Sequence, residues 1–318
     1  MSAGTEKRLL VIAGPTAAGK TALAVELALR LGGEVISADS MQIYRGMDIG
    51  TAKATAEEMR GVPHHLLDVA EPEESYSIAR WAKTAEAAAL DIFARGRLPI
   101  VAGGTGQYID ALLYPRDFAS SGDGALRARL GAEYDRMGGA AFRERLRVID
   151  PARAEKLSPA DKKRLVRAME VYLLTGETIS AHDARTRALP PRFDSLRVAL
   201  SFADRAVLYA RIDRRVDEML RRGLLEETAA LLARGVPAES TAMQAIGYRE
   251  CAACLRTGGD LEETAAQIRQ ASRRYAKRQL TWLRRDGGLH WILWQDAPDI
   301  PRAADEICAL WNRAPDGA

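Results

Sequence analysis

Nowhere does this chain of 318 residues carry an apolar run long enough to cross a bilayer, which excludes a membrane-spanning helix. The opening MSAGTEKRLLVIAGPT offers only five apolar residues in a row before Gly14 interrupts them, too few for the core of a secretory signal. Cysteine is scarce as well: three residues, an odd number, speak against a disulfide framework and suit a reducing compartment. A cytoplasmic protein is the expectation. No internal repeat or low-complexity segment occurs beyond the alanine-rich AEAAAL. What is present, 47% hydrophobic and 28% charged residues, is the composition of a globular chain with one large core or a core plus a smaller appended unit.

The net charge of +3 hides an asymmetry. Residues 1–115 carry 11 Lys and Arg against 14 Asp and Glu, residues 116–167 carry 13 against 8, and 269–285 carry seven basic residues and no acid. Basic blocks that converge in space suit a polyanion, because each neutralised phosphate releases a counterion. Standing alone, they equally describe solvated helix faces.

Periodicity gives the fold class. RLLVIA (8–13), EVISA (34–38) and LPIVA (98–102) read as buried parallel strands, with a weaker candidate in HHLLDVA (64–70). Helical patterns occupy 19–31 and 77–95, the second preceded by ESYS, whose serine is a ready N-cap. LRVALSF (196–202) and HWILW (290–294) supply further strands to the same sheet. Between about 118 and 194 no strand-like run occurs, and the turn signals DPAR, SPAD and LPPR punctuate the segment. The expectation is an α/β protein: a P-loop NTPase-like core with a mostly parallel sheet flanked by helices, plus a smaller all-helical inserted domain. Its parts are 1–117, the insertion 118–194, and 195–318, which completes the core.

GPTAAGKT (14–21) satisfies G-x-x-x-x-G-K-[ST] through Gly14, Gly19, Lys20 and Thr21, between a strand ending at Ala13 and a helix marked by Leu23, Leu27 and Leu31. Backbone amides of such a loop turn toward an anion, the helix N-terminus adds partial positive charge, Lys20 reaches phosphate oxygens and Thr21 can ligate Mg²⁺. The loop alone names no reaction. Asp39 stands just past the 34–38 strand, where a carboxylate faces ligand in an open α/β sheet. There it can hold a metal through water, act as a general base, or simply cap a turn with Ser40. In 268–284, Arg269, Arg273 and Lys277 recur at four-residue steps while Ile268, Tyr275 and Trp282 repeat at seven, so one helix face is cationic and another apolar. The aromatic residues read as core.

Taken together, GPTAAGKT (14–21), ADSMQIYRGMDIGTAK (38–53), PHHLLD (63–68), AGGTGQY (102–108), MQAIGYRE (243–250) and AKRQLTWLR (276–284) resemble the tRNA dimethylallyltransferase family, collinearly from residue 9 to about 294. Three positions depart from its pattern: Ala18 stands where serine is common, Ala54 where proline usually follows GTAK, and Gln107 where an aliphatic residue is usual, beside the pocket wall. The resemblance implies transfer of a dimethylallyl group from dimethylallyl diphosphate to N6 of the adenosine immediately 3′ of the anticodon, in tRNAs reading codons that begin with U. Diphosphate would then be the leaving group, held by Gly14, Pro15, Thr16, Ala17, Ala18, Gly19, Lys20 and Thr21, with Mg²⁺ on Thr21. Asp39 would be the base, and Thr105 would face the oxygen bridging carbon and phosphorus. Arg215 would join Lys20 in the diphosphate pocket, although its charge-dense helix reads as solvated surface on spacing alone.

On the RNA side the resemblance implies that Asp39, Ser40, Met41, Gln42 and Thr105 meet the acceptor, with Gln244, Gly247, Tyr248 and Arg249. In the insertion it assigns Arg127, Lys163, Arg164, Leu165, Val166 and Arg167 to tRNA, and on the basic helix Arg273, Lys277 and Arg278. The partners implied are the anticodon stem-loop of tRNA and dimethylallyl diphosphate, for a monomeric enzyme with no membrane partner. Three other readings remain open: an isopentenyltransferase of free adenine nucleotides, a small-molecule kinase using ATP, and a non-catalytic P-loop RNA-binding module. Cys251 and Cys254 have C-x-x-C spacing in a helical run without a second pair and read as core thiols, and adjacent His64 and His65 point to opposite sides of an extended segment.

Overall fold

The computed structural model describes residues 7–115 and 122–313. Strand β1 (Arg8–Ala13) is followed by α1 (Lys20–Leu31), β2 (Gly33–Ser37), α2 (Ala56–Met59), β3 (His64–His65), α3 (Ile78–Ala94), β4 (Leu98–Gly103) and α4 (Gly106–Leu113). Five helices come next: α5 (Gly124–Met137), α6 (Gly139–Ile149), α7 (Pro151–Lys156), α8 (Lys162–Thr175) and α9 (Ile179–Arg187). The chain then makes β5 (Asp194–Phe202), α10 (Arg205–Arg221), α11 (Leu224–Ala233), α12 (Tyr248–Thr257), α13 (Leu261–Leu283), β6 (His290–Trp294) and α14 (Ile300–Asn312).

All six strands form one parallel sheet in the order β3-β2-β4-β1-β5-β6. A parallel strand flanked on both sides and covered on both faces must be apolar throughout. RLLVIA meets that demand, with Leu9 to Ala13 all buried. The core around it joins Leu10 and Ile12 to Leu23 and Leu27 of α1, Leu200 of β5 and Ile307 of α14. Ser77 does cap α3, its hydroxyl accepting from the Arg80 N–H at 3.2 Å.

HHLLDVA forms less strand than expected. Only His64 and His65 pair with β2, because Leu66 (φ 63°) and Asp68 (φ 55°) turn into the left-handed region, and pairing resumes as a single bridge from Ala70 to Tyr44. The two histidines do diverge: His64 turns to the Val62 carbonyl and His65 to the buried carboxylate of Glu34.

The chain divides into two compact units, residues 1–113 with 193–318, and residues 114–192. Of the insertion edges expected at 118 and 194, the first lies outside the described residues. Within the second unit, Leu130, Phe142, Leu146, Leu165 and Met169 make a separate core. DPAR and SPAD, expected as turns, are helix starts. Asp150 and Asp161 accept from the backbone N–H groups of Arg153 and Arg164, and Pro151 occupies the first turn of α7, where its missing N–H costs nothing.

Candidate functional site

Adjacent parallel strands end side by side, and the loops beyond their carboxyl ends form the crevice of an α/β sheet. Here the order β2-β4-β1 brings together Asp39, the turn 103–105 and the loop 14–19. Close approach is built into that junction. The Thr105 N–H donates to the Ala38 carbonyl at 3.2 Å, and a Cβ on Gly103 would collide with the Ala38 backbone. The opposite wall comes from α10 and α13, which lie alongside each other, tied by Arg269 to Asp217 and Arg273 to Asp213 at 2.6 Å each. The resulting cleft, about 810 Å³, is lined by Thr16 to Ala22, Asp39 to Gln42, Arg211, Arg215, Tyr275 and Gln279 among others.

Three cations gather at the phosphate loop with no carboxylate at ion-pair distance among the described residues. The Lys20 ammonium donates to the Pro15 carbonyl at 2.7 Å, and the Arg211 Nε donates to the Ala17 carbonyl at 3.2 Å. Among the described residues, the buried Nε of Arg215 has no hydrogen-bond partner. Burial is the main cause that lowers the Lys20 pKa to about 8; the charge of Arg215 adds to it and that of Asp39 opposes it. Burial likewise depresses Arg215, against Asp39 and Glu58, and it depresses Arg211, with Arg214 adding to the effect. A site that holds positive charge at such cost is short of an anion.

Asp39 lies at the junction of loop and turn. Its Oδ1 accepts from the N–H groups of Met41 at 2.9 Å and Gln42 at 3.4 Å, so the turn-capping role is real and leaves the second oxygen, Oδ2, outside the turn. Among the described residues, no N–H of α4 donates to the Thr105 hydroxyl. That hydroxyl accepts from the Ser40 N–H at 3.3 Å; Ser40 lines the cleft, and Thr105 stands just outside the lining. Tyr275, expected in the core, lines the cleft. Burial and the charge of Asp39 push its hydroxyl up to about 12, against hydrogen bonds with Thr105 and Gln279.

The other expected residues divide. Thr16, Ala17, Ala18, Gly19, Lys20 and Thr21 line the cleft; Gly14 and Pro15 do not, being buried where the loop presses on the Leu200 carbonyl. Arg215 faces the cleft and is no solvated surface residue. Ser40, Met41, Gln42, Gln244 and Arg249 also line it, although the Gln42 amide is engaged by Ser37, Thr51 and Ala52. Gly247 and Tyr248 are corrections: both are buried, and the Tyr248 hydroxyl accepts from the Gly50 N–H and donates to Glu227, anchoring the 48–50 turn. Leu165 and Val166 are corrections too, their side chains packed into the core of the helical unit and so turned away from solvent. Lys163 and Arg164 are exposed. Gln107 is exposed and outside the lining, so its departure from the family pattern leaves the pocket wall untouched.

The basic blocks are less free than their composition suggests. Arg127 and Arg167 share the carboxylate of Glu170, which is fully buried, and Arg273 is held by Asp213. Lys277 and Arg278 are exposed, and with Thr281, Trp282 and Arg285 they border a second hollow of about 280 Å³. Cys251 is buried, its thiol pushed up to about 12 by burial, and Cys254 donates to the Gly259 carbonyl.

Sequence patterns do not single out Arg211, Tyr275 and Gln279 as site residues. The clues are nonetheless present: Arg211 stands four residues before Arg215 on α10, and Ile268, Ser272, Tyr275 and Gln279 share one face of α13.

A family model described as IPP transferase matches residues 42–286. The tRNA dimethylallyltransferase of Symbiobacterium thermophilum is 49% identical over 304 residues, 95% of this chain and 94% of that one. That of Anaeromyxobacter dehalogenans is 52% identical over 288 residues, 90% and 92% of the two chains. The crystal structure of the Bacillus halodurans tRNA isopentenylpyrophosphate transferase is similar with a TM-score of 0.71 at 41% identity, covering 96% of both chains. A eukaryotic dimethylallyltransferase acting on tRNA is similar with a TM-score of 0.82 at 29% identity, covering 98% of this chain and 81% of its own.

Proposed function

The chain belongs to the IPP transferase family, and from that premise we propose how its cleft works. The protein is a prenyltransferase that modifies tRNA. Its donor is dimethylallyl diphosphate, and its acceptor is N6 of the adenosine immediately 3′ of the anticodon. The observation that carries this reading is the grouping of Lys20, Arg211 and Arg215, cations with no carboxylate at ion-pair distance among the described residues, around the phosphate loop with Asp39 on the same cleft.

Breaking the allylic C–O bond leaves negative charge on diphosphate, and donors aimed at that charge lower the barrier most. Lys20, Arg215 and the loop amides serve that end, and the Thr105 hydroxyl, oriented by Ser40, donates toward the bridging oxygen. An exocyclic adenine amine is a weak nucleophile whose lone pair is delocalised into the ring, so it must lose a proton as the C–N bond forms. Asp39 takes it. Among the described residues no three His, Cys, Asp or Glu groups are placed to hold a metal by themselves. The Thr21 hydroxyl, in the first turn of α1 and on the cleft lining, would hold Mg²⁺ together with diphosphate oxygens and water. Bound there, Mg²⁺ would neutralise charge on the leaving group.

Phosphoryl transfer fits less well. It would use Asp39, just past β2, to hold the metal of a nucleotide; the family to which the chain belongs favours prenyl transfer instead. The adenosine must leave its stack to reach Asp39, which costs less in a loop than in a duplex. For an enzyme of this kind, charge on exposed Lys277 and Arg278 and on the helical unit assists by holding tRNA phosphates.

The test is an incubation with labelled dimethylallyl diphosphate, Mg²⁺ and either unmodified tRNA with adenosines 3′ of the anticodon or free adenine nucleotides. Label in that adenosine, with diphosphate released, is expected. Label in free nucleotides, or γ-phosphate transfer from ATP, would overturn the reading.

A further inference from the structure

Gln279 takes no part in the prenyl transfer itself, yet its side chain reaches the centre of the site. It projects from α13 and is only 7% exposed. A primary amide buried that far must find a donor for its oxygen and acceptors for its protons. The Thr16 N–H donates to Gln279 Oε1 at 3.1 Å, and Gln279 Nε2 donates to the Gly104 carbonyl at 3.0 Å. The Tyr275 hydroxyl is a third partner. Thr16 belongs to the loop after β1, and Gly104 to the turn after β4 that carries Thr105. The approach is close enough that a Cβ on Gly104 would collide with the amide nitrogen.

The amide has one workable orientation. Flipped, it would set Nε2 against the Thr16 N–H and Oε1 against the Gly104 carbonyl, two like-to-like contacts in a buried place. The Thr16 N–H is thereby spent on Gln279, so the phosphate seat is left to the amides that come after it.

We propose that Gln279 is a positioning residue: by bridging the Thr16 N–H and the Gly104 carbonyl it fixes the spacing between the phosphate loop and the Thr105 turn. It therefore sets the distance from the diphosphate seat to the hydroxyl facing its leaving oxygen, and this role rests on the prenyl transfer proposed for the cleft. Both the oxygen and the nitrogen of the Gln279 amide are spent on protein partners, so its part in the cleft is to hold the two loops. Misplacing a reacting group by about 1 Å costs on the order of 10²-fold in rate.

The experiment compares wild type, Gln279→Leu and Gln279→Glu between about pH 5 and 6.5, below the range in which Lys20 loses its proton. It measures kcat and KM for dimethylallyl diphosphate and for tRNA, the Kd of inorganic diphosphate, and thermal unfolding. Gln279→Leu is expected to lower kcat at every pH by about 10- to 100-fold, with KM for tRNA within about twofold of wild type. A neutral carboxylic acid can replace the amide, its carbonyl accepting from Thr16 and its O–H donating to Gly104; a carboxylate cannot. The rate of Gln279→Glu relative to wild type is therefore expected to rise as pH falls, while the Gln279→Leu ratio stays flat.

A folded Gln279→Leu with wild-type kcat would overturn the proposal, since a pH effect in Gln279→Glu would then be charge repulsion alone. So would a Gln279→Glu whose relative rate does not change with pH. Should Gln279→Leu fail to fold, the pH ratio of Gln279→Glu decides. If wild type binds diphosphate but prenylates nothing, the proposed reaction fails, while the affinities of the variants for diphosphate at the two pH limits still test the bridge.

Discussion

In the helical unit, Arg127 and Arg167 close on the buried carboxylate of Glu170, Lys162 meets Asp135 and Arg164 meets Asp161. In the cleft of the larger unit, Lys20 donates to a backbone carbonyl, Arg211 to another while its guanidinium lies over the Phe202 ring, and the Arg215 Nε meets no hydrogen-bond partner among the described residues. The first region holds the larger surplus of basic residues in sequence, and the second holds cations that no carboxylate among the described residues pairs with at ion-pair distance. A buried cation without a counter-ion is expensive, so its persistence points to an anion that binds there. Counting Lys and Arg along a chain measures the first and misses the second.

The comparison breaks first at Asp39, the carboxylate that the cleft sets among those cations. Asp39→Asn keeps the turn-capping oxygen and removes the base. The expected loss is about 10²- to 10⁴-fold in kcat, with tRNA affinity close to wild type. Single-turnover prenylation of saturating tRNA checks it. Normal turnover by Asp39→Asn would mean that the proton leaves by another route.

Removing a cation comes next. Lys20→Ala is expected to cost about 10²- to 10³-fold in kcat/KM for the donor, the scale found for one group that stabilises developing negative charge. The pH profile sharpens this. With its pKa brought down to about 8 from the usual 10.5, Lys20 in the free enzyme loses its proton as pH rises through 8, so kcat/KM for the donor should fall there. Stability should move the other way. Between about pH 8 and the unfolded value, the unfolded chain binds more protons than the folded one, so stability attributable to this group grows as pH rises. A profile flat through pH 9 would show that Lys20 stays charged without ligand.

Much of the architecture was legible in the sequence because it depends on local patterns. RLLVIA, LPIVA and HWILW are apolar on both faces and became parallel strands, and GPTAAGKT sits between a strand and a helix, where its amides can converge. HHLLDVA misled because its composition favours a strand while Leu66 and Asp68 adopt left-handed backbone that composition does not reveal. Within the site, Lys20 and Asp39 could be named from motifs next to strand ends. Arg211, Tyr275 and Gln279 could not, since their roles follow from α10 and α13 lying across the cleft, a tertiary fact. Leu165 and Val166 fell inside a motif assigned whole to tRNA, yet residues of one helix face different ways and these two face the core.

In the helical unit the corresponding break is Glu170→Gln. The substitution keeps an acceptor but removes the charge that Arg127 and Arg167 share. A loss of about 1–3 kcal/mol in stability is expected by chemical denaturation. The two guanidinium groups gain freedom to meet phosphate, so the dependence of tRNA binding on salt should steepen. An unchanged salt slope would mean that these arginines serve the fold alone.

The smallest effect separates two neighbours on α13. Arg273 is already held by Asp213 at 2.6 Å, whereas Lys277, one turn on, is exposed and meets no carboxylate among the described residues. A cation that leaves one partner to meet a phosphate gains less than one that leaves only water, and releases no extra counterion if it stays where it is. Lys277→Ala should therefore lower the slope of log affinity against log salt by about 0.7 to 0.9, one phosphate's worth, and Arg273→Ala by much less. Donor KM should be unchanged in Lys277→Ala, because that residue lies outside the cleft lining. Filter binding of tRNA across a range of KCl concentrations decides between them: equal drops in slope would show that the ion pair to Asp213 opens when RNA binds, and that pairing in the free protein does not predict which cations the RNA recruits.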